Sequence, residues 1–505
     1  MTGLWRGATR LITWTAVGWA TAALAQPPPG GQTAPARKRP NFVFILGEGH
    51  GWSSTSVRMD DDVPESRSAY VRTPNFERLA KAGMRFASFY APSPRCTPSR
   101  AGYLTGVNPA RLHMTFVGIG QGEGRDSDPG ARLITPRVVL ELPASTTTLP
   151  ELLKGAGYAT AHFGKWHLGR ISPSRHGFDE NDGATSNGGP DNVQNPHPKQ
   201  LYGMTERGLD FMRRQVGAGR PFFLQLSHYA SRRGADASPE AQAAVRAWGA
   251  NLDERRRGEA AADVDLDIAL GRLLAGIDEL GVASETYVIY TADHGSPGRN
   301  SPLNGGKGTL FEGGLRVPLI VRGPGVAAGS SSRVRAIGTD LLPTVCALAD
   351  IRGPLPETVE GGSLVPLLLG KGQGTVRRPR DEHVVHFPHY DSDMLGPASA
   401  ILQGGLKLIH EYETGATRLY DLARDPGERR DLSREMSARA RELDRRLRED
   451  LVSVGAQFPS PNPDYDPSRV PTTKQDRRQQ RGRQDRATGA RRGGRGRRGE
   501  ADDRP

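Results

Sequence analysis

The sequence predicts an α/β fold: a large, mostly parallel central sheet flanked by helices, with a smaller C-terminal α+β domain. Three observations carry this reading. Four strand-length runs, at 41–46, 158–163, 221–226 and 286–290, alternate with helix-like segments, the arrangement of βαβ units. The first of them, Asn41-Phe42-Val43-Phe44-Ile45-Leu46, is almost unbroken apolar, as a strand covered on both faces must be. Near residue 375 the pattern changes to short strands at Ala400-Ile401-Leu402, Leu406-Lys407-Leu408-Ile409 and Arg418 to Leu422, then an Arg/Glu-laced helix over Ser433–Val452.

Taken in order, each long run delivers polar residues at its carboxyl end. The first leads into Glu48 and His50 among three glycines, and the second into Gly164-Lys165-Trp166-His167-Leu168-Gly169. The third leads into Ser227-His228-Tyr229 and the fourth into Asp293-His294-Gly295. Open α/β sheets bind ligands at those ends, so Glu48, Lys165, His167, His228, Asp293 and His294 are expected to converge on one crevice. A helix is predicted from Thr73-Pro74 to Ala82 with Gly83 as its C-cap, and another over Ala261–Leu280, where apolar residues recur at helical spacing.

The stretch Cys96-Thr97-Pro98-Ser99-Arg100 sets a thiol at the start of a predicted helix. Pro98 suits the first turn, where its missing N–H has no partner to lose. The free N–H groups of that turn, with Arg100, form a positive socket for a tetrahedral oxyanion such as sulfate or phosphate. The alternative is that Cys96 is an ordinary thiol or is bridged to Cys346, the other cysteine of the chain.

With Leu104-Thr105-Gly106 closing it, this stretch resembles the signature of the sulfatase family, whose cysteine in Cys-x-Pro-x-Arg becomes formylglycine. Gly164 to Gly169, Asp293-His294, and Gly305-Gly306-Lys307-Gly308-Thr309 followed by Glu312-Gly313-Gly314 and Arg316-Val317-Pro318 resemble further motifs of that family. The resemblance covers about residues 41–470 and implies a Ca²⁺ ion held by Glu48, Cys96 (as formylglycine), Asp293 and His294. It implies that Lys165 and Lys307 contact sulfate, that His167 steadies the formylglycine, and that Arg100 offsets charge on the transferring group. Two positions depart from the family. Relatives carry two aspartates after the first strand where Glu48 and Gly49 stand here, so either metal affinity is lower or His50 or a water completes the metal shell. Relatives resembling Ser-His-Tyr-Ala-x-His carry a proton-donating histidine where this chain has Arg232, an arginine being a poor acid. Either His228 substitutes as the acid or protonation of the leaving group is weak, with Arg232 as a substrate contact. The implied partners are the formylglycine-generating machinery and a sulfated small molecule or sulfated carbohydrate. Two readings compete: a phosphomonoester or phosphonate hydrolase of the same alkaline phosphatase superfamily, and a catalytically silent binder of sulfated glycans.

The termini point to compartment rather than chemistry. Residues 1–25 carry Arg6 and Arg10, an apolar run from Leu11 to Ala23 and an Ala23-Leu24-Ala25 ending, which reads as a signal peptide of an exported protein. Residues 26–40 read as a Pro/Gly-rich linker, 41–374 as the catalytic domain, 375–470 as the C-terminal domain and 471–505 as a disordered basic tail. The net charge of +12 resides wholly in the two ends, because the body over 41–470 is formally neutral. No specific nucleic-acid site is implied, and the tail is suited to contact polyanions.

Overall fold

The computed structural model describes residues 39–117, 129–187, 200–229, 237–248, 251–298, 300–391 and 396–469. The signal segment, the tail and Arg232 lie outside these residues. In chain order the main body contains strand β1 (Asn41–Gly47), helix α1 (Pro74–Ala82), β2 (Met84–Phe86), α2 (Cys96–Thr105), α3 (Leu149–Gly155), β3 (Ala159–Gly164), β4 (Glu180–Asn181), α4 (Leu201–Gly217) and β5 (Phe222–Ser227). It continues with α5 (Pro239–Ala247), α6 (Glu254–Glu279), β6 (Thr286–Ala292), α7 (Glu312–Leu315), β7 (Leu319–Arg322), β8 (Ser330–Ser332) and α8 (Leu341–Leu348).

These strands form one eight-stranded sheet in the order β8-β2-β7-β6-β1-β5-β3-β4. The four runs read from the sequence are the adjacent strands β6, β1, β5 and β3, all parallel. Strand β7 runs antiparallel to both neighbours, so the sheet is mixed. Because side chains alternate along a strand, Phe42, Phe44 and Leu46 enter one core with Phe223, Ile289 and Leu342, while Val43 and Ile45 enter the opposite core with Leu224, Leu270 and Leu274. Burial on both faces is the reason β1 reads as a continuous apolar run.

Two helix readings shift at their ends. Helix α6 begins seven residues before Ala261, where the Asp253 side chain accepts the Arg256 N–H at 2.8 Å and caps it. Gly83 does follow α1, yet its backbone is extended rather than left-handed; a Cβ there would lie 2.4 Å from the Val321 carbonyl, so close approach to β7 is what selects glycine.

The C-terminal part is an antiparallel meander of β9 (His383–Phe387), β10 (Ala398–Gln403), β11 (Leu406–Glu411) and β12 (Thr417–Asp421), with helix α9 (Ser437–Ser453) on one face. Leu443, Leu447 and Leu451 of α9 pack on Ile401, Leu408 and Leu419. The other face, with Val385, Phe387, Leu402 and Ile409, packs on Tyr90, Phe116, Leu310 and Leu315 of the main body. Among the described residues no helix is long and apolar enough to cross a membrane.

Candidate active site

Strand register assembles the site. Gly47 pairs with Ala292, so Glu48 and Asp293 leave the sheet side by side; Gly164 pairs with Ser227, so Lys165 and His228 do the same. The backbone extends each pairing by one residue, Asp293 N–H donating to the Gly47 carbonyl at 3.0 Å and Lys165 N–H to Ser227 at 2.8 Å. Helix α2, buried along its whole length, brings Cys96 to the same edge.

Cys96 and Cys346 are both free and buried, so the disulfide alternative does not hold. The Cys96 Sγ lies 3.2 Å from Glu48 Oε1, 3.1 Å from His294 Nε2 and 3.5 Å from Lys307 Nζ. One ligand atom from each of Glu48, Cys96, Asp293 and His294 falls within 4.8 Å of all the others, and the four residues are buried. Two carboxylates and an imidazole around Cys96 fit a divalent cation. The thiol is held well below its usual range: burial and Glu48 oppose ionisation, and Lys165, Lys307 and His294 overcome them.

Charge balance is set by Lys165, Lys307 and Arg100. Glu48 Oε2 accepts from Lys165 Nζ at 2.7 Å, and Oε1 from Lys307 Nζ at 3.0 Å. Despite burial, these lysines hold Glu48 well below the usual carboxylate range. Asp293 is pushed up to about 7, by burial and then by Glu48. Burial would lower His294, but Asp293 lifts it to about 9.

The Arg100 reading needs correction. Its guanidinium donates to the Lys165 carbonyl at 2.6 Å and to Glu48 and Asp293 at 3.1 Å each. It therefore fixes the two carboxylates rather than lining an open oxyanion socket. His50 is also elsewhere than expected: its Nδ1 meets the Tyr290 hydroxyl at 2.5 Å and its Nε2 lies 3.5 Å from Asp263, outside the ligand cluster.

Gly49 gains a physical reason. Its φ is +57°, its N–H donates to Asp293 Oδ1 at 2.8 Å, and a Cβ would stand 3.2 Å from His294 Cε1. The His294 ring occupies the space toward which a side chain at 49 would point.

His167, at φ +57°, faces the Cys96 thiol, and its carbonyl accepts from Thr97 Oγ1 at 2.9 Å. His228 is buried beside Glu48, His50 and Asp263 and does not hydrogen-bond Cys96. Burial, then His50 and Arg100, depress it to about 3, which leaves it neutral and without a proton to spare as an imidazolium acid.

Two residues with no anticipated role are joined beside the site: Arg95, immediately before Cys96, forms a buried ion pair with Asp391 of the C-terminal part. An arginine adjoining Cys96 was the one local signal, and nothing in the sequence links it to a residue almost three hundred positions away.

The comparisons agree with this geometry. The family model described as Sulfatase matches residues 40–351, and that described as N-sulphoglucosamine sulphohydrolase, C-terminal, matches 306–457. N-acetylgalactosamine-6-sulfatase of Sus scrofa is 31% identical over 458 residues, covering 79% of this chain and 82% of its own. Arylsulfatase A of Homo sapiens is 31% identical over 458 residues, covering 77% and 82%. The crystal structure of Ps i-CgsB in complex with k-i-k-neocarrahexaose superposes with a TM-score of 0.68 at 22% identity, covering 89% of this chain and 98% of that one. The chain belongs to the sulfatase family and is a sulfuric ester hydrolase.

Proposed function

We propose that this sulfatase is exported and removes sulfate from a sulfated carbohydrate, using a formylglycine made from Cys96 beside a Ca²⁺ ion. The observation that carries the reading is the 3.1–3.5 Å ring of Glu48, His294 and Lys307 around the Cys96 Sγ, gathered from three other segments of the chain. A formylglycine at position 96 would supply a hydrated aldehyde as nucleophile, and a Ca²⁺ ion would supply positive charge for the sulfate oxygens.

The chain's own residues do the rest. Glu48, Asp293 and His294 would hold the cation with the side chain at 96, and Arg100 keeps both carboxylates in place. Lys307 and Lys165 provide fixed positive charge where the transferring group becomes more negative, a preorganised contribution that commonly dominates such reactions. Lys307, held protonated by its anionic neighbours despite burial, stabilises charge on the departing oxygen rather than giving up its proton. His167 orients the side chain at 96. His228 is neutral, so its ring N–H can donate a hydrogen bond to the bound group, and Arg232 is assigned to the substrate side. The names of the relatives support a carbohydrate sulfate, and the apolar run with its Ala23-Leu24-Ala25 ending supports export.

The test is mass spectrometry of the peptide bearing Cys96, from protein made in a host with the converting machinery. An aldehyde is expected, with turnover of aryl sulfate exceeding that of aryl phosphate, and Cys96→Ala should lose at least about 10³-fold in kcat while keeping its Tm. A thiol in protein that still turns over aryl sulfate would overturn the reading. Preference for aryl phosphate would favour the phosphate-ester alternative.

A further inference from the structure

Lys307 rides on a glycine-rich loop whose far side is built into the C-terminal sheet. Leu310 and Leu315 of that loop are buried against Val385, Phe387, Leu402 and Ile409. Within this apolar contact lies Lys407 of β11, its side chain fully buried. Its Nζ is 3.1 Å from Glu312 Oε1 and 2.7 Å from Glu428 Oε1, and both carboxylates are fully buried. Glu428 Oε2 accepts the backbone N–H of Glu312 at 2.6 Å, so Glu312 is held by main chain and side chain together. Its second oxygen accepts the Tyr90 hydroxyl at 2.9 Å and lies 3.6 Å from Arg316.

Two further facts separate this cluster from ordinary packing. Glu428 adopts φ +53°, a region a non-glycine residue occupies only when its surroundings dictate it. Buried ion clusters are seldom worth more than apolar residues of the same volume, so their use points to fixing one geometry. The geometry fixed here is that of the loop. From Glu312 back to Lys307 the chain is closed by short bonds: Gly313 N–H to the Asn304 carbonyl at 2.7 Å, Thr309 N–H to Gly306 at 3.0 Å and Lys307 N–H to Ser296 at 3.0 Å. At its tip, Lys307 Nζ reaches Glu48 and the side chain at 96.

We propose that Lys407 and Glu428 are positioning residues for the reaction: through Glu312 they set where the Lys307 ammonium stands over the nucleophile, making the C-terminal sheet part of the catalytic apparatus. This rests on the role given to Lys307 above. The test is a double-mutant cycle of Glu428→Gln and Lys307→Ala in the full chain, with kcat, KM and Tm measured on aryl sulfate. Glu428→Gln keeps an acceptor for the Glu312 N–H and leaves Lys407 paired with Glu312. It is expected to lower kcat/KM about tenfold in the wild-type background and less than about twofold when Lys307 is already alanine. A merely structural role would lower both by the same factor. Equal losses in the two backgrounds, or no loss in the wild type, would overturn the proposal. If Lys307→Ala alone leaves kcat/KM unchanged, the proposal falls through the role of Lys307 and not through the clamp. Should Glu428→Gln fail to fold, Tyr90→Phe, which removes only the hydroxyl on Glu312, enters the same cycle, with the same non-additivity expected and additivity again overturning it.

Discussion

The protein contains two buried clusters of charge, and they are balanced in opposite senses. Around Cys96, two carboxylates face Lys165, Lys307 and Arg100. At the junction with the C-terminal sheet, two carboxylates share Lys407, with Arg316 farther off at 3.6 Å. The first has positive charge to spare for an anionic substrate. The second is short of positive charge, so every hydrogen bond in it goes to holding the carboxylates. A surplus suits a site that must accept a ligand; a deficit suits a fastening that must never be open to one.

The same substitution should therefore break the two clusters in different currencies. Lys407→Met leaves two buried carboxylates without their shared cation and is expected to lower unfolding stability by about 3–5 kcal/mol, read by denaturant titration. Lys165→Met leaves Glu48 with Lys307 at 3.0 Å and Arg100 at 3.1 Å, so the fold keeps its Tm within a few degrees. Its kcat/KM on aryl sulfate should nevertheless drop about 10²-fold, the scale of removing one preorganised charge from a transition state. Equal stability losses in the two variants would remove the distinction.

How much of this could be read in advance follows from the range of each interaction. The catalytic cluster was legible because every member follows a strand end or a local motif, and strand register does the rest: pairing Gly47 with Ala292 suffices to bring Glu48 to Asp293. The parallel order of β6, β1, β5 and β3 was legible for the same reason. Strand β9 was not read, because buried histidines at 383 and 386 interrupt its apolar pattern. Helix α9 starts four residues later than expected, since Asp431 accepts the Ser433 N–H at 2.8 Å and holds that stretch in a turn. The Lys407 cluster was invisible: a lysine inside a short strand reads as its solvent face, and its partners lie 95 and 21 positions away in no local pattern. Arg100 was identified as a residue of the site but not for what it binds, since a motif gives the residue and only the fold gives the partner.

A smaller effect probes the cation side of the catalytic cluster. Gly49→Ala puts a methyl group in a left-handed backbone conformation 3.2 Å from the His294 ring, with a strain of about 1 kcal/mol. The ring must yield, so the rise in Tm on adding Ca²⁺ to the wild-type protein should shrink in the variant. An unchanged Ca²⁺-dependent Tm would detach His294 from the proposed cation site.

The least effect concerns proton balance in the junction cluster. Burial pushes the Glu428 carboxyl up to about 7; Lys407 pulls it down and Glu312 adds to the rise. The groups facing it are Lys407, Glu312 and Tyr420. Its unfolded counterpart titrates near 4.5, so between about 4.5 and 7 the folded chain binds the extra proton and the unfolded chain does not. Stability from this group is therefore fully present below pH 4.5 and declines as pH rises toward 7, the reverse of a carboxylate whose pKa is depressed in the fold. In Glu428→Gln that decline is absent, so the difference in Tm between variant and wild type should change by roughly 1–3 °C from pH 5 to pH 7.5, in favour of the variant at the higher pH. Glu48, held low by its lysines, contributes no such slope in this range, and Asp293, raised to about 7, contributes the same slope to both proteins and cancels in their difference, so the difference reports on the junction cluster.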